Sequence, residues 1–482
     1  MSSNENVGPV YLKHRTFNES GYGRQSQQSL LFDDAVDQSS YSAFGSNGKT
    51  ANFNLEIQDD RGMPVNYARV KALEEIIRKD IVSDKNSLHR AITPVLTLAN
   101  FFALLPVQGI KGQNTSYLTF NWFTWMILYV LVVFVSCFLI ILLSSIRIYQ
   151  VGLTYYGMGN ILFFGSTLVI YIIFVHLAKQ WPKVMGQWEL MEREMMRQFR
   201  NPIDMAYKFK KITSIVMVLS IVEYITTLLT GIVKAVPCST GGLDIIRAYF
   251  STTFRQVFTV IDYSLILAIP LEFLNLIMVS AWNFMDLFII LLACALSDRF
   301  KQLNQRLANV KGKVLPNTYW RKSRETYNLL ASLTEDFDEF LSPVVFLSFS
   351  HNLYFICFQL LNSLKLKHGS LETVCFVFLF TYLVGRTCAV TLYAASINDE
   401  SKKSKIVLFS VPTESYCTEV ARFLTQVTSG ELALTGYNFF SVTRTFMLTV
   451  AGTIVTYEIV LLQFNTAPNE TIDENNTLNY CP

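Results

Sequence analysis

Eight long apolar stretches alternate with polar segments along the chain. They lie at about 91–110, 119–145, 159–178, 212–236, 257–297, 341–363, 372–394 and 441–464. A helix needs about 20 apolar residues to cross a bilayer, and the last seven stretches reach that length. The first contains Pro94 and Pro106 and stops shortly before the second begins, which is typical of a re-entrant segment. The pattern predicts an all-α polytopic membrane protein with seven transmembrane helices and a re-entrant N-terminal segment.

The polar segments complete the predicted organisation. The N-terminal segment is rich in Ser, Asn, Gln and Gly and has too few apolar residues to form a core of its own. After it, apolar residues at helical spacing predict an amphipathic helix at the membrane surface. The predicted domains are a disordered cytoplasmic tail at 1–63, the amphipathic helix and re-entrant segment at 64–118, a seven-helix domain at 119–464 with cytoplasmic helical extensions at 298–340 and 395–440, and an extracellular tail at 465–482.

The distribution of basic residues predicts the orientation. The connections 179–211, 298–340 and 395–440 hold 20 Lys and Arg, whereas those on the opposite side hold 6. Basic residues are enriched on the cytoplasmic side of membrane proteins, so we expect the N-terminus inside and the C-terminus outside. The glycosylation sequons at Asn469 and Asn475 agree, because glycosylation requires the lumenal side. The predicted location is the plasma membrane, with several passes through its lipid.

Composition excludes several classes of function. The chain of 482 residues is 51% hydrophobic and 16% charged, and its net charge of +3 gives no reason to expect a nucleic-acid partner. Eight cysteines and five histidines show no spacing typical of a metal site. No nucleophile elbow, phosphate-binding loop or paired catalytic carboxylates occur in the sequence. We therefore expect no enzyme, no metal and no cofactor; whether Cys238 pairs with Cys481 stays open.

The last apolar stretch carries a polar stripe. On a helical wheel of about 100° per residue, Thr449, Thr453 and Gln463 fall within roughly 60° of Thr456, and Glu458 points to the opposite side. Two interpretations fit this pattern. The stripe is either a seam packed between helices of one subunit or, in several copies around a symmetry axis, the wall of a narrow pore.

The pore interpretation assigns roles to particular residues. Thr449, Thr453 and Thr456 would line the channel with hydroxyl groups, and Gln463 with Phe464 would form a ring near the outer mouth. Glu458 would meet a partner inside its own subunit instead of the permeant ions.

Several stretches resemble the insect gustatory receptor family. TYEIVLLQF at 456–464 matches that family's TYhhhhhQF motif, although Glu458 departs from a strictly hydrophobic middle. WNFMDLFI at 282–289 and GRTCAVTLYAASINDESKK at 385–403 look like the sugar-receptor branch, as does SLHRAITPVLTLANFFALLPVQGI at 87–110. The resemblance covers about 85–465.

The resemblance implies a ligand-gated cation channel that opens to sugars on chemosensory neurons. In such a channel the last helix of each subunit forms the pore. The implied assembly is a homotetramer or a heteromer with related receptor subunits, and the permeant ions would be monovalent cations, with divalent cations as further candidates. Two alternatives remain, a metabotropic seven-helix receptor and a secondary sugar transporter. The inward N-terminus speaks against the first, and the lack of an internal repeat speaks against the second.

A sugar ligand predicts which residues line a pocket. Sugars present hydroxyl groups and apolar C–H faces, which carboxylates, amides and aromatic rings complement. Ionisable residues inside the membrane are functional candidates, and a purely structural role is the alternative for each. The candidates in the outer half of the bundle and near mid-membrane are Glu223, Asp262, Glu272, Trp282, Tyr354 and Gln359.

Asp286 and Arg386 have a different predicted role. Asp286 precedes the cytoplasmic Asp298 by 12 residues, and Arg386 precedes Asn398 by the same number. Both therefore lie about 18 Å from the inner ends of their helices. Equal depth and opposite charge predict a buried ion pair that clamps two helices together.

Overall fold

The computed structural model describes residues 87–152, 155–198, 204–239, 241–242, 244–363 and 370–465. The predicted tail at 1–63, the amphipathic helix that follows it and the sequons at Asn469 and Asn475 lie outside these ranges. The helices are α1 (Leu88–Phe101), α2 (Trp125–Val151), α3 (Tyr155–Gln198), α4 (Met205–Ala235), α5 (Asp244–Thr253), α6 (Arg255–Phe258), α7 (Leu265–Ala308), α8 (Asn317–Ser363), α9 (Ser370–Leu408), α10 (Thr418–Ser429) and α11 (Arg444–Asn465). Strand β1 (Thr435–Gly436) pairs antiparallel with β2 (Phe440–Ser441).

Six of the described helices, α2, α3, α4, α7, α8 and α9, are long and apolar enough to cross a membrane. The expectation of an all-α polytopic membrane protein is confirmed, apart from the two-residue strands. At the seventh predicted span lies α11, a helix of 22 residues. The fifth predicted span, 257–297, differs from the structure. The short helix α6 ends at Phe258, and the long helix begins only at Leu265.

Several helices are much longer than a bilayer requires. Helices α3 and α7 each have 44 residues and α8 has 47, so each is more than about 60 Å long. Helix α3 continues through most of the connection expected at 179–211, because one face stays apolar beyond the membrane-spanning stretch. Trp181, Trp188 and Met195 are all buried on that face. The long helices therefore form a packed region outside the bilayer.

Helix α7 lies at the centre of the bundle. Every residue from Ala281 to Phe300 is buried, and the helix packs against α3, α4, α8 and α9. A helix that is apolar on all sides needs neighbours on all sides. The polar side chains of α7 in this segment are consequently enclosed by protein.

The first described segment, from residue 87 to the start of α2, turns back on itself. Helix α1 ends near α3, where the Tyr171 hydroxyl donates a hydrogen bond to the Phe102 carbonyl, 3.2 Å. The chain then returns, and the His89 ring lies 3.0 Å from the carbonyl oxygen of Gly112. Helix α1 has 14 residues, too few to cross a bilayer. This path is that of a short helix followed by an extended return.

Candidate functional site

The polar stripe of α11 is exposed in the subunit. Thr449, Thr453, Thr456 and Gln463 are all exposed. The three threonine hydroxyls donate to carbonyl oxygens four residues earlier, at 3.1, 3.0 and 2.9 Å, which lowers the cost of leaving them outside water. An open groove of ≈ 530 Å³ runs along the stripe and is lined by Thr449, Gly452, Thr453, Thr456, Tyr457 and Val460. The three threonines therefore form no seam with the described helices of the same subunit.

The opposite face of α11 packs against the subunit. Met447, Val450, Ile454 and Glu458 are half-buried at the contacts with α8 and α9. Oxygen Oε2 of Glu458 is buried, and no described residue donates a hydrogen bond to it. The two faces separate as the helical wheel indicates. The side chain of Phe464 lies outside the described part of the chain.

A buried ion pair joins α7 to α9. Arg386 Nε lies 2.9 Å from Asp286 Oδ2, and both side chains are less than one-tenth exposed. Asp286 also accepts hydrogen bonds from Ser348, 2.5 Å, and Asn352, 3.2 Å, both on α8. Three helices thus meet at one carboxylate. The arrangement satisfies a charge that would otherwise be costly in the membrane.

Asn283 connects this pair to α4. Its amide nitrogen donates to Glu223 Oε2, 2.8 Å. Its amide oxygen accepts from the Tyr382 hydroxyl and from Arg386 Nη1, both at 2.8 Å. Since Asn283 lies three residues before Asp286, it occupies the same side of α7. The result is one hydrogen-bonded network across α4, α7, α8 and α9.

Two phenols hold a second carboxylate, nearer the N-terminal end of α7. Glu272 accepts from Tyr224 on α4, 2.6 Å, and from Tyr249 on α5, 3.1 Å. Burial, together with the charge of Glu272, raises the pKa of Tyr249, so this phenol remains a donor. Asp262 lies apart from both clusters, exposed in the connection between α6 and α7. Among the described residues, no hydrogen bond joins Asp262 to any of the other candidates.

The aromatic candidates differ in their access. Trp282 is 3% exposed, its indole nitrogen donates to Thr167, 3.1 Å, and the His351 ring stacks on it. Tyr354 and Gln359 are half-buried on α8. Trp282 is therefore a packed core residue in this conformation. Tyr354 and Gln359 are more accessible to a ligand than Trp282.

Sequence reasoning missed most of the hydrogen-bonding partners. The partners missing from the sequence candidates are Asn283, Ser348, Tyr224 and Tyr249, each bonded to a predicted charge, and Tyr382, bonded to Asn283. A signal existed for two of them. Asn283 is three residues from Asp286, and Tyr382 is four residues from Arg386, so each shares a helix face with the charge. The others come from separate helices, and no spacing indicates their proximity.

No group of three or more His, Cys, Asp or Glu side chains within the described ranges is arranged to hold a metal ion. The site is built from hydrogen-bonded carboxylates, one guanidinium and aromatic rings. This chemistry fits recognition of a polar, uncharged ligand or support of a helix bundle.

Comparison with known proteins identifies related sequences over most of the chain. The family model described as "Trehalose receptor" matches residues 70–473. The Drosophila melanogaster gustatory receptor for sugar taste 64f is 37% identical over 405 residues, 83% of this chain and 86% of its own length. The gustatory receptor 5a for trehalose, from the same organism, is 33% identical over 80% of this chain and 87% of its length.

The fold has a relative of known structure. The insect olfactory receptor OR5 from Machilis hrabei, in complex with eugenol, aligns with a TM-score of 0.56 over 78% of this chain and 98% of its own. The sequence identity is 13%, so this likeness concerns the fold alone.

Proposed function

Because the chain belongs to the trehalose-receptor family of insect gustatory receptors, we propose that it is a sugar receptor acting as a ligand-gated cation channel. Two relatives are named for sugar taste and for trehalose. The proposed assembly is a homotetramer, or a heteromer with related subunits, in the plasma membrane. The N-terminus would lie inside and the C-terminus outside.

The exposed polar stripe of α11 is the observation that carries the channel proposal. Threonines three and four residues apart face outward along the helix, whereas the opposite face packs on α8 and α9. Lipid offers no hydrogen-bond partners to a polar face of this length. In a ring of subunits that face lines a water-filled path. Gln463 and Phe464 would then form the outer constriction.

The proposed sugar site lies in the outer half of the bundle. Glu223 and Glu272 have carboxylate oxygens able to accept bonds from sugar hydroxyls, and Tyr354 and Gln359 on α8 supply a ring and an amide. Binding there competes with the bonds from Asn283, Tyr224 and Tyr249. Trp282 would contact the ligand only after His351 moves off its ring.

Helix α8 offers a direct route from such a site to the pore. It carries Tyr354 and Gln359, and it packs against the half-buried face of α11. A displacement of α8 by the ligand would shift Glu458 and Ile454, which lie on that face. The polar stripe on the other side of α11 would turn with them.

Whole-cell recording from cells expressing the receptor, during a panel of sugars, tests the proposal. We expect sugar-evoked cation current that needs no added G protein. A purely second-messenger response would indicate a metabotropic receptor. Sugar uptake without gated current would indicate a transporter.

A further inference from the structure

One exposed stripe of α3 changes from apolar to basic along its length. Val169 and Ile172 are 42% and 56% exposed, and His176, Lys179 and Lys183 continue the same stripe as exposed residues. The spacing of three and four residues keeps all five on one helix face. A face that passes from apolar to basic is suited to the boundary between acyl chains and headgroups.

Helix α2 marks the depth of that boundary. Tyr129 on α2 and Tyr171 on α3 donate to neighbouring carbonyls, those of Phe101 and Phe102, so the two tyrosines lie at one depth. From this level α2 reaches Trp125 after about 6 Å, and the antiparallel α3 reaches Lys179 after about 12 Å. Lys179 therefore lies about one helical turn beyond Trp125.

The start of α2 is rich in exposed aromatic side chains. Trp122, Phe123 and Trp125 are 56%, 96% and 84% exposed. Aromatic residues of this kind concentrate at the headgroup level of membranes. Lys179 and Lys183 consequently project at or just beyond that level.

The surroundings of the two lysines favour an anion. No Asp or Glu occurs between Asp84 and Glu189, a range that includes α1, its return segment and α2. Neither lysine forms an ion pair with a described residue. Their charges are thus left for a group outside the described chain.

We propose that Lys179 and Lys183 form a binding site for the headgroup of an anionic phospholipid, whose acyl chains lie along Val169 and Ile172. His176 would border the headgroup at the membrane side. Basic residues at a membrane surface attract anionic lipids, which are enriched in the cytoplasmic leaflet. The orientation that the basic residues predict places this end of α3 at that leaflet.

Titration of the purified full-length receptor in detergent tests the site. The probe is dioctanoyl phosphatidylserine, compared with dioctanoyl phosphatidylcholine, and the readout is the rise in melting temperature with lipid concentration. Each lysine contributes about fivefold in affinity. We expect K179Q and K183Q each to raise the midpoint about fivefold and the double variant to raise it about 25-fold.

Two variants serve as controls. K179R/K183R keeps both charges and should keep the wild-type midpoint. K311Q/K313Q removes two exposed lysines from the connection between α7 and α8 and should leave the midpoint unchanged. An unchanged midpoint in K179Q/K183Q, an equal loss in K311Q/K313Q, or an equal response of the wild type to both lipids would overturn the proposal. None of these outcomes depends on sugar-gated current.

Discussion

The ion pair between Asp286 and Arg386 gives a double-mutant cycle with a defined outcome. Asp286→Ala leaves the Arg386 guanidinium buried without its carboxylate, and Arg386→Ala leaves the carboxylate without its cation. Removing one partner of a buried pair costs about 3–5 kcal/mol. Independent effects would therefore add to about 6–10 kcal/mol in the double variant.

The contacts of the pair predict a smaller cost for the double variant. With both charges gone, the remaining loss is the hydrogen bonds that Ser348 and Asn352 donate to Asp286 and the one that Arg386 donates to Asn283, about 1 kcal/mol each. We therefore expect the double variant to be about as stable as either single variant. The coupling energy is then about 3–5 kcal/mol.

The assay is thermal unfolding of the detergent-solubilised receptor, with surface expression measured in parallel. Because membrane proteins of this size often unfold irreversibly, the order of the apparent Tm values is compared. Lys402 and Glu431, 3.3 Å apart and 44% and 55% exposed, form the control pair, for which we expect a coupling of only about 0–1 kcal/mol. A double variant of Asp286 and Arg386 with the summed loss of both single variants would refute the reasoning.

Three further predictions concern the pore helix, the orientation of the chain and the sugar site. Gln463→Ala should alter ion permeability and Phe464→Ala should raise resting current, and thiol reagents should reach Thr456→Cys but not Glu458→Cys; normal permeation in well-expressed variants would remove α11 as the pore wall. An N-terminal tag should be stained only after permeabilisation, and Asn469→Gln or Asn475→Gln should increase electrophoretic mobility; staining of intact cells would reverse the orientation. Trp282→Ala should cost about 3–5 kcal/mol and lower surface expression, whereas Tyr354→Ala should shift the sugar concentration for half-maximal current with expression unchanged.

Sequence alone predicts the membrane-spanning parts well but not the extension of α3 beyond its apolar stretch. Bilayer thickness demands long apolar runs, so the positions of α2, α4 and α9 are visible as hydropathy. The continuation of α3 beyond the membrane depends on Trp181, Trp188 and Met195. These three apolar residues stand among many polar ones, so they give only a weak helical pattern. Packing against neighbouring helices makes that segment helical, and this packing cannot be seen in a single stretch of sequence.

The same distinction applies to the candidate site. Asp286 and Arg386 stand out because charges are rare in apolar stretches, and counting residues from the predicted inner ends of the two apolar stretches predicts their equal depth. Asn283 is less conspicuous, since an amide inside a membrane helix has many uses. Its position between Glu223 and Arg386 is a property of three helices together.

The burial of Ala281 to Phe300 on α7 has a consequence for synthesis of the protein. Asp286 leaves the ribosome 100 residues before Arg386, which takes about 5–20 s at a translation rate of 5–20 residues per second. Throughout that interval the carboxyl group has no cationic partner from α9. Ser348 and Asn352 on α8 emerge first and are the earliest groups of the network able to hold it. Co-translational assembly of this receptor is therefore expected to pause with α7 unpacked on one side, and a chain truncated before α9 should be a preferred target of membrane-protein quality control.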